Sequence, residues 1–136
     1  MKKLIASIQS KFPDHGNHAI EQAFVLSYLR KKALNYSSNE VIKAFLDDKD
    51  SNYELISDYI DERSCISNLD DLIVAFEILV DSGEKKNKGV VYTPPVIRDY
   101  ISSEVVSDSN IPVLIDPSCG CGAFLISAVL FPGINS

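Results

Sequence analysis

The residues most able to do chemistry lie at positions 113–125, which read Val-Leu-Ile-Asp-Pro-Ser-Cys-Gly-Cys-Gly-Ala-Phe-Leu. A β-branched apolar run is followed by an acidic residue, a proline, two spaced glycines and a segment that can be helical. A strand, a glycine-containing turn and a helix in this order begin many phosphate- or nucleoside-binding pockets. Small residues let a ligand approach the backbone, and the first amides of a helix attract negative charge. This stretch is the first candidate site.

The glycine pair alone is a weak signal, because no Lys-Ser or Lys-Thr follows it as in a Walker loop and the third glycine of the dinucleotide fingerprint is missing. A second segment at 89–95 reads Gly-Val-Val-Tyr-Thr-Pro-Pro. Thr93 is a typical helix N-cap, and Pro94 suits the first turn. An amphipathic helix is predicted to follow, with its apolar face formed by Val96, Ile97, Tyr100, Ile101 and Val105.

Together, residues 89–95 and 114–125, with a helix between them, resemble the start of amino-directed adenine DNA methyltransferases of restriction-modification systems. The likeness is to type I modification subunits or fused type II enzymes, and it covers roughly residues 89–126. In that family the two segments are motif X and motif I, and both line the S-adenosylmethionine site. The order and spacing of the pair are far more specific than one Gly-x-Gly.

The resemblance implies a set of cofactor-binding residues. The amides at the start of the helix after Gly122 would receive the methionine carboxylate, and Thr93 would offer its hydroxyl to the same end of the cofactor. Asp116 would orient the loop or meet the cofactor amino group, while Phe124 packs beside the pocket. The full set is Tyr92, Thr93, Pro94, Asp116, Pro117, Ser118, Cys119, Gly120, Gly122 and Phe124.

The catalytic residues of the family are not found in these 136 residues. The family grips the target adenine with Asn- or Asp-Pro-Pro followed by Tyr or Phe, in which the aromatic ring stacks on the flipped base. Thr93-Pro94-Pro95-Val96 imitates this motif only superficially and lies before motif I. We therefore expect this chain to be part of an enzyme that methylates N6 of adenine. In isolation, it should be inactive and should bind S-adenosylmethionine weakly or not at all.

Two other interpretations stay open. The chain can be a non-catalytic helical interaction module that keeps a remnant of a cofactor loop and docks to a specificity or restriction partner. It can also derive from a methyltransferase that acts on protein or RNA, since the same loop occurs there. A strand at residues 113–115 without neighbours would in either case favour self-association.

Residues 1–82 predict a series of short helices. Leu4, Ile5, Ile8 and Phe12 fall at helical spacing before Pro13, and a helix from about 17 to 33 should be buried on much of its circumference. Capping patterns at 37–40 and 51–54 predict two more helices, and a fifth begins near Asn68, with Asp70 and Asp71 in its first turn and Gly83 beyond its end.

The expected architecture is mainly α: a helical domain at 1–82, a polar linker at 83–89, and from 90 to 136 the first strand-loop-helix of an incomplete Rossmann-like methyltransferase domain. The net charge is −6, with +4 in residues 1–39, −9 in 40–82 and −1 in the remainder. An acidic chain is not expected to be the main DNA-gripping surface. The basic cluster at residues 30–32 fits a helix C-terminus better than a phosphate site.

Cys65, Cys119 and Cys121 are odd in number, which favours reduced thiols. Cys119 and Cys121 lack the spacing of a zinc knuckle, so no metal site is predicted there or at His15 and His18. No apolar run approaches the roughly 20 residues of a transmembrane helix, and Gln9 and Lys11 break the first run too early for a signal peptide. The chain is expected to be soluble and cytoplasmic.

Overall fold

The computed structural model describes residues 1–47, 52–63, 66–80, 93–107, 113–120 and 122–130, and all their regular secondary structure is α-helical. The helices are α1 (Lys2–Lys11), α2 (Asn17–Lys31), α3 (Glu40–Leu46), α4 (Tyr53–Asp61), α5 (Leu69–Val80), α6 (Pro95–Ser107) and α7 (Ala123–Leu130). The prediction of a mainly α chain is confirmed. No helix within these described ranges is long and apolar enough to cross a lipid bilayer.

The chain divides into two units, Met1–Ser82 and Gly83–Ser136. The first contains α1 to α5, and the second contains α6, α7 and the glycine-containing segment between them. Several sequence-based predictions concern residues outside the described ranges. They are the linker at 83–89, the helix cap at Ser51, the glycine after the fifth helix (Gly83), the thiols of Cys65 and Cys121, and the cofactor-binding role of Tyr92.

Helix α2 is the centre of the first unit. It packs against α3, α4 and α5, and Ile20, Ala23 and Phe24 have no exposed surface. Its apolar residues are spread around the helix and do not form one stripe, which is typical of a helix that is covered on most sides. The prediction that this helix is buried on much of its circumference is confirmed.

A helix buried this widely must also satisfy the polar side chains that it carries into the core. The buried Gln22 donates from Nε2 to the backbone oxygen of Phe45, at 2.6 Å. The buried Ser27 donates from Oγ to Oδ1 of Asp61. These hydrogen bonds link α2 to α3 and α4, so they constrain how both helices lie against it.

The cap of α3 differs from the prediction. Ser37 and Glu40 were expected to form a capping box, but the side chain of Asn39 is the cap and accepts a hydrogen bond from the amide of Ile42, at 3.1 Å. Glu40 pairs with Lys43 instead. Asn is as good a cap as Ser, and the residue at which the chain leaves the preceding turn decides which one is used.

The start of α5 is a reciprocal cap. The amide of Asp71 donates to Oδ1 of Asn68 at 2.9 Å, and Oδ2 of Asp71 accepts from the amides of Ser67 and Asn68 at 2.7 and 3.2 Å. Three amide groups near the helix start are thereby satisfied by two side chains. The predicted start near Asn68 is confirmed, and Asp71 contributes hydrogen bonds in addition to its charge.

In the second unit, α6 begins one residue later than predicted. Pro95 is the first helical residue, and the backbone oxygen of Pro94 accepts from the amides of Ile97 and Arg98, both at 3.0 Å. Thr93 is therefore not the N-cap. A residue that precedes a proline is disfavoured in the helical conformation, and this keeps Pro94 outside the helix.

The orientation of α6 also differs from the sequence expectation, which placed its apolar residues on one protected face. Val96 is 81% exposed and Tyr100 is 64% exposed, whereas Arg98 and Ser102 are buried. Within the unit, α6 packs against α7. The apolar residues of α6 therefore leave a face open to solvent, because only one helix of this unit covers α6 among the described residues.

A shared carboxylate joins the two helices of this unit. Oδ1 of Asp99 on α6 accepts from Oγ of Ser127 on α7 at 2.7 Å and from Nε of Arg98 at 2.9 Å. These hydrogen bonds, first from Ser127 and then from Arg98, hold the pKa of Asp99 below its ordinary value. The ionised carboxylate is thus the form that ties α6 to α7.

We expect Phe24→Ala to lower the free energy of unfolding by about 3–5 kcal/mol, because it opens a cavity at the centre of α2. Urea denaturation followed by far-UV circular dichroism measures the change. Val41→Ala is the matched control: Val41 is 79% exposed, and its loss should change stability by less than about 0.5 kcal/mol. Equal effects of the two substitutions would show that α2 is not the centre of the core.

The Asp99 tie predicts a dependence on pH. Since the pKa of Asp99 is lowered by folding, its contribution to stability is present above the unfolded carboxyl pKa of about 3.9. It is lost as the pH falls through the lower folded value. In a carboxyl ¹³C NMR titration, Ser127→Ala should raise the midpoint of Asp99, because Ser127 is the larger cause of the shift.

Ser103→Ala is the control for that titration. Ser103 lies on the same helix, but its hydroxyl donates to the backbone oxygen of Tyr100 at 2.7 Å and not to Asp99. Its removal should leave the midpoint unchanged. If the titration midpoint of Asp99 is the same in the wild type and in Ser127→Ala, the hydrogen bond from Ser127 is not the cause of the lowered pKa.

Candidate functional site

Residues 113–116 enter the candidate site without regular secondary structure. The predicted strand at this place is not confirmed. Val113 is 67% exposed and Ile115 is 79% exposed, and no described residue of the chain forms a strand. A strand is defined by hydrogen bonds to a neighbouring strand. Residues 113–115 have the apolar sequence of a strand, but they form no such hydrogen bonds with other described residues.

A turn at Asp116 follows. Oδ1 of Asp116 accepts a hydrogen bond from the amide of Ser118 at 2.9 Å, which is an Asx turn of the kind that Asp forms with its own backbone. Asp116 is half-buried, whereas Pro117, Ser118 and Cys119 are exposed. The Asp116 side chain thus orders the chain at the point where it turns toward the glycines.

The two glycines adopt the left-handed conformation, with φ of +53° at Gly120 and +78° at Gly122. This region favours glycine because a side chain would be strained there. A Cβ built at Gly120 would have no neighbour within 4 Å, and one at Gly122 would reach only Cδ1 of Ile126 at 4.0 Å. The missing side chains therefore leave open space beside the backbone of the loop.

The loop leads directly into α7. The amide of Gly122 donates to the backbone oxygen of Cys119 at 2.7 Å, and the oxygen of Gly122 accepts from the amide of Ile126 at 2.9 Å. Helix α7 begins at Ala123. Its first amides have no partner inside the helix, and the helix dipole adds partial positive charge, so an anionic group is favoured beside this loop.

An open cavity of about 340 Å³ lies beside the loop, between α6, residues 114–117 and α7. Its walls are mainly apolar, and they include three of the sequence-predicted site residues, namely Asp116, Pro117 and Phe124. This volume falls in the range of small-ligand pockets, which are commonly apolar with a few polar groups. The structure therefore brings the motif I segment together with the side of α6.

Ser102 is a residue of this cavity that the sequence analysis did not identify. Its residue surface is 4% exposed, and its Oγ is buried without a hydrogen-bond partner. A buried hydroxyl that is not hydrogen bonded costs free energy, so a polar atom of a ligand or a water molecule would be stabilised there. The only sequence signal was a serine four residues after Arg98 on the same side of α6.

The residues at the start of α6 are arranged differently. Thr93 and Pro94 are exposed and do not belong to the walls of the cavity. No hydrogen bond joins Thr93 to the glycine loop within the described parts of the chain, and Tyr92 lies outside them. Thr93, Pro94 and the motif I residues thus belong to one unit, but of the described site residues only those of motif I line the cavity.

The basic cluster at the C-terminal end of α2 makes contacts within the first unit. Arg30, in the last turn of α2, pairs with Asp58 at 2.7 Å and with Asp61 at 3.4 Å. Lys31 donates to Ser67. The cluster is therefore used in part to hold the first unit together. Among the described residues, no group of three or more His, Cys, Asp or Glu could hold a metal ion.

Comparison with known proteins gives one relationship. Residues 68–131, 64 of the 136 residues, match the family of N-6 DNA methylases. This range includes α5, α6, the glycine loop and α7. No curated protein and no solved structure gave a significant match. The match extends across both segments of the resemblance, and it supports the interpretation of this chain as a fragment of an adenine DNA methyltransferase.

Proposed function

We propose that this chain contributes the cofactor side of an enzyme that transfers a methyl group from S-adenosylmethionine to N6 of adenine in DNA, in a restriction-modification system. The observation that carries the proposal is the loop at Asp116–Gly122, with its two left-handed glycines and its helix start, inside a family match. Residues 113–115 would be the first strand of a Rossmann-like sheet, once other strands pair with them.

The loop has the features that a cofactor with a carboxylate and an amino group needs. Space beside Gly120 and Gly122 admits the ligand close to the backbone, and the first amides of α7 favour its carboxylate. The Asp116 carboxylate, which uses Oδ1 to order the loop, has a second oxygen that can accept from an ammonium group. Bound S-adenosylmethionine would supply the methyl group as an electrophile.

The other proposed residues act around this centre. Thr93 would offer its hydroxyl, Tyr92 its backbone or ring, and Phe124 an apolar surface at the wall of the cavity. Pro94, Pro117, Ser118 and Cys119 would shape the two segments. None of these residues accepts a proton from adenine or grips its amino group, so the catalytic group has to come from a different segment. We therefore propose that this chain by itself is inactive.

DNA would be bound through other regions, in agreement with the net charge of −6. A specificity or restriction subunit is proposed as a further partner, and the cytoplasm as the compartment in which such an enzyme meets DNA. The exposed apolar side chains of α6, of which Val96 and Tyr100 are the most exposed, favour an association of this kind.

Titration of the ¹⁵N-labelled chain with S-adenosylmethionine tests the proposal. We expect saturable shifts of the Gly120 and Gly122 amides, with a Kd of about 1 mM, which corresponds to only about 4 kcal/mol of binding free energy. Calorimetry should give little or no signal. The same sample should transfer no methyl group to duplex DNA, because the residues that grip adenine are absent from it.

Gly122→Val is expected to abolish binding of S-adenosylmethionine, since it places a branched side chain at a φ of +78° in the loop. Gly16→Val is its control, because a Cβ at Gly16 would have no neighbour within 4 Å and Gly16 does not adopt positive φ. Only Gly122→Val should abolish the shifts. The absence of saturable shifts in the wild type up to about ten times the expected Kd, or shifts confined to the first unit, would refute the cofactor site.

The uncovered segment at 113–115 predicts self-association. Its apolar side chains are exposed and its backbone can pair with a second strand, so the chain should dimerise at concentrations of roughly 0.1–1 mM, as expected for an interaction of about 4–5.5 kcal/mol. Sedimentation equilibrium measures this. Ile115→Lys should keep the chain monomeric, whereas Val129→Lys, at a residue that is 59% exposed on α7, should not. A wild-type chain that stays monomeric throughout this range would contradict the prediction.

A further inference from the structure

We propose that Asp99 and Ser127 are positioning residues for the cofactor site: their hydrogen bond sets the distance between Thr93, which lies just before α6, and the glycine loop. This inference rests on the proposed function. It concerns two side chains that lie outside both motifs and that neither the sequence analysis nor the family match singles out.

Asp99 and Ser127 lie at matching levels of their two helices. Asp99 is four residues after Pro95, where α6 begins, and Ser127 is four residues after Ala123, where α7 begins. At a rise of about 1.5 Å per residue, each lies about 6 Å along its helix from the first residue. The segment before α6 contains Thr93, and the segment before α7 contains Gly122. A link between the helices at this level therefore constrains the separation of the two segments.

The link between Asp99 and Ser127 lies among small side chains. Apart from Arg98, the buried side chains near it are small on both helices, Ser102 on α6 and Ala128 on α7. Small side chains let two helices approach closely but interlock little, so they do not by themselves define one relative position. A directional hydrogen bond of 2.7 Å between Ser127 and Asp99 fixes the position of α6 relative to α7.

A neighbouring charge also stabilises the link. The oxygen that accepts from Ser127 also accepts from Nε of Arg98, whose side chain is 8% exposed. A nearly buried guanidinium favours the ionised form of the carboxylate beside it. A carboxylate is a stronger acceptor than a neutral group. Arg98 thus keeps Asp99 in the form that holds Ser127, although Asp99 itself is largely exposed to solvent.

The test compares hydroxyl variants at position 127 in the full chain. Ser127→Ala removes the donor, and Ser127→Thr keeps it. Residual dipolar couplings of the ligand-free chain measure the angle between α6 and α7, and the NMR titration with S-adenosylmethionine measures the Kd. We expect Ser127→Ala to change the angle and to raise the Kd about three- to tenfold, the usual effect of one lost hydrogen bond.

Ser127→Thr should restore both values, and Asp99→Asn should reproduce part of the loss. Ser103→Ala is the control, because it removes a hydroxyl from α6 that bonds only within its own helix. A double variant, Asp99→Ala with Ser127→Ala, should have a Kd close to that of either single variant, since both remove the same interaction.

The outcomes separate this inference from the proposed function. If the wild type binds and Ser127→Ala binds equally well, the link is only structural and the inference is overturned, whatever happens to the angle. An unchanged angle together with a raised Kd would also overturn it, because the effect would not pass through the helices. If the wild type shows no saturable binding, the proposed cofactor site fails and the inference fails with it.

Discussion

The burial of α2 is the constraint on which the first unit depends. Phe24 and its neighbours on this helix are covered on several sides, so α3, α4 and α5 must all be placed around it. Gln22 and Ser27 would be costly in such an environment without partners, and the oxygen of Phe45 and the carboxylate of Asp61 supply them. The apolar contacts give the free energy of packing, and these polar contacts give the orientation.

The second unit depends less on apolar packing than the first. Its described residues form two helices and include few fully buried apolar side chains, and several large apolar side chains of α6 and of residues 113–115 face solvent. Its order depends more on local chemistry: the Asx turn at Asp116, the left-handed glycines, and the carboxylate that joins α6 to α7. The described residues of the candidate site belong to this unit. Binding residues are often found on loops of this kind.

The sequence predicted helices more reliably than it predicted their surroundings. The periodicity of α1 and α5 was sufficient because each carries an apolar pattern that repeats at helical spacing, and α2 was predicted from its wide apolar surface. The cap of α3 was misplaced, because Ser37 and Asn39 are chemically similar caps and only the path of the preceding turn distinguishes them. The start of α6 was misplaced by one residue, because two consecutive prolines both suit the start of a helix and the rule for the residue before proline favours the second.

The amino-acid sequence by itself determined the local conformation of the candidate site. Asp116, Gly120 and Gly122 have conformational preferences that act within a few residues, so an Asx turn and left-handed glycines follow from residue types and spacing. Only the tertiary structure decided which face of α6 is covered, and therefore that Arg98 and Ser102 are buried. It also decided that Asp99 contacts Ser127, which lies 28 residues away in the chain. The physical reason is that contacts between distant residues depend on how whole helices pack, and periodicity marks an apolar face without naming what covers it.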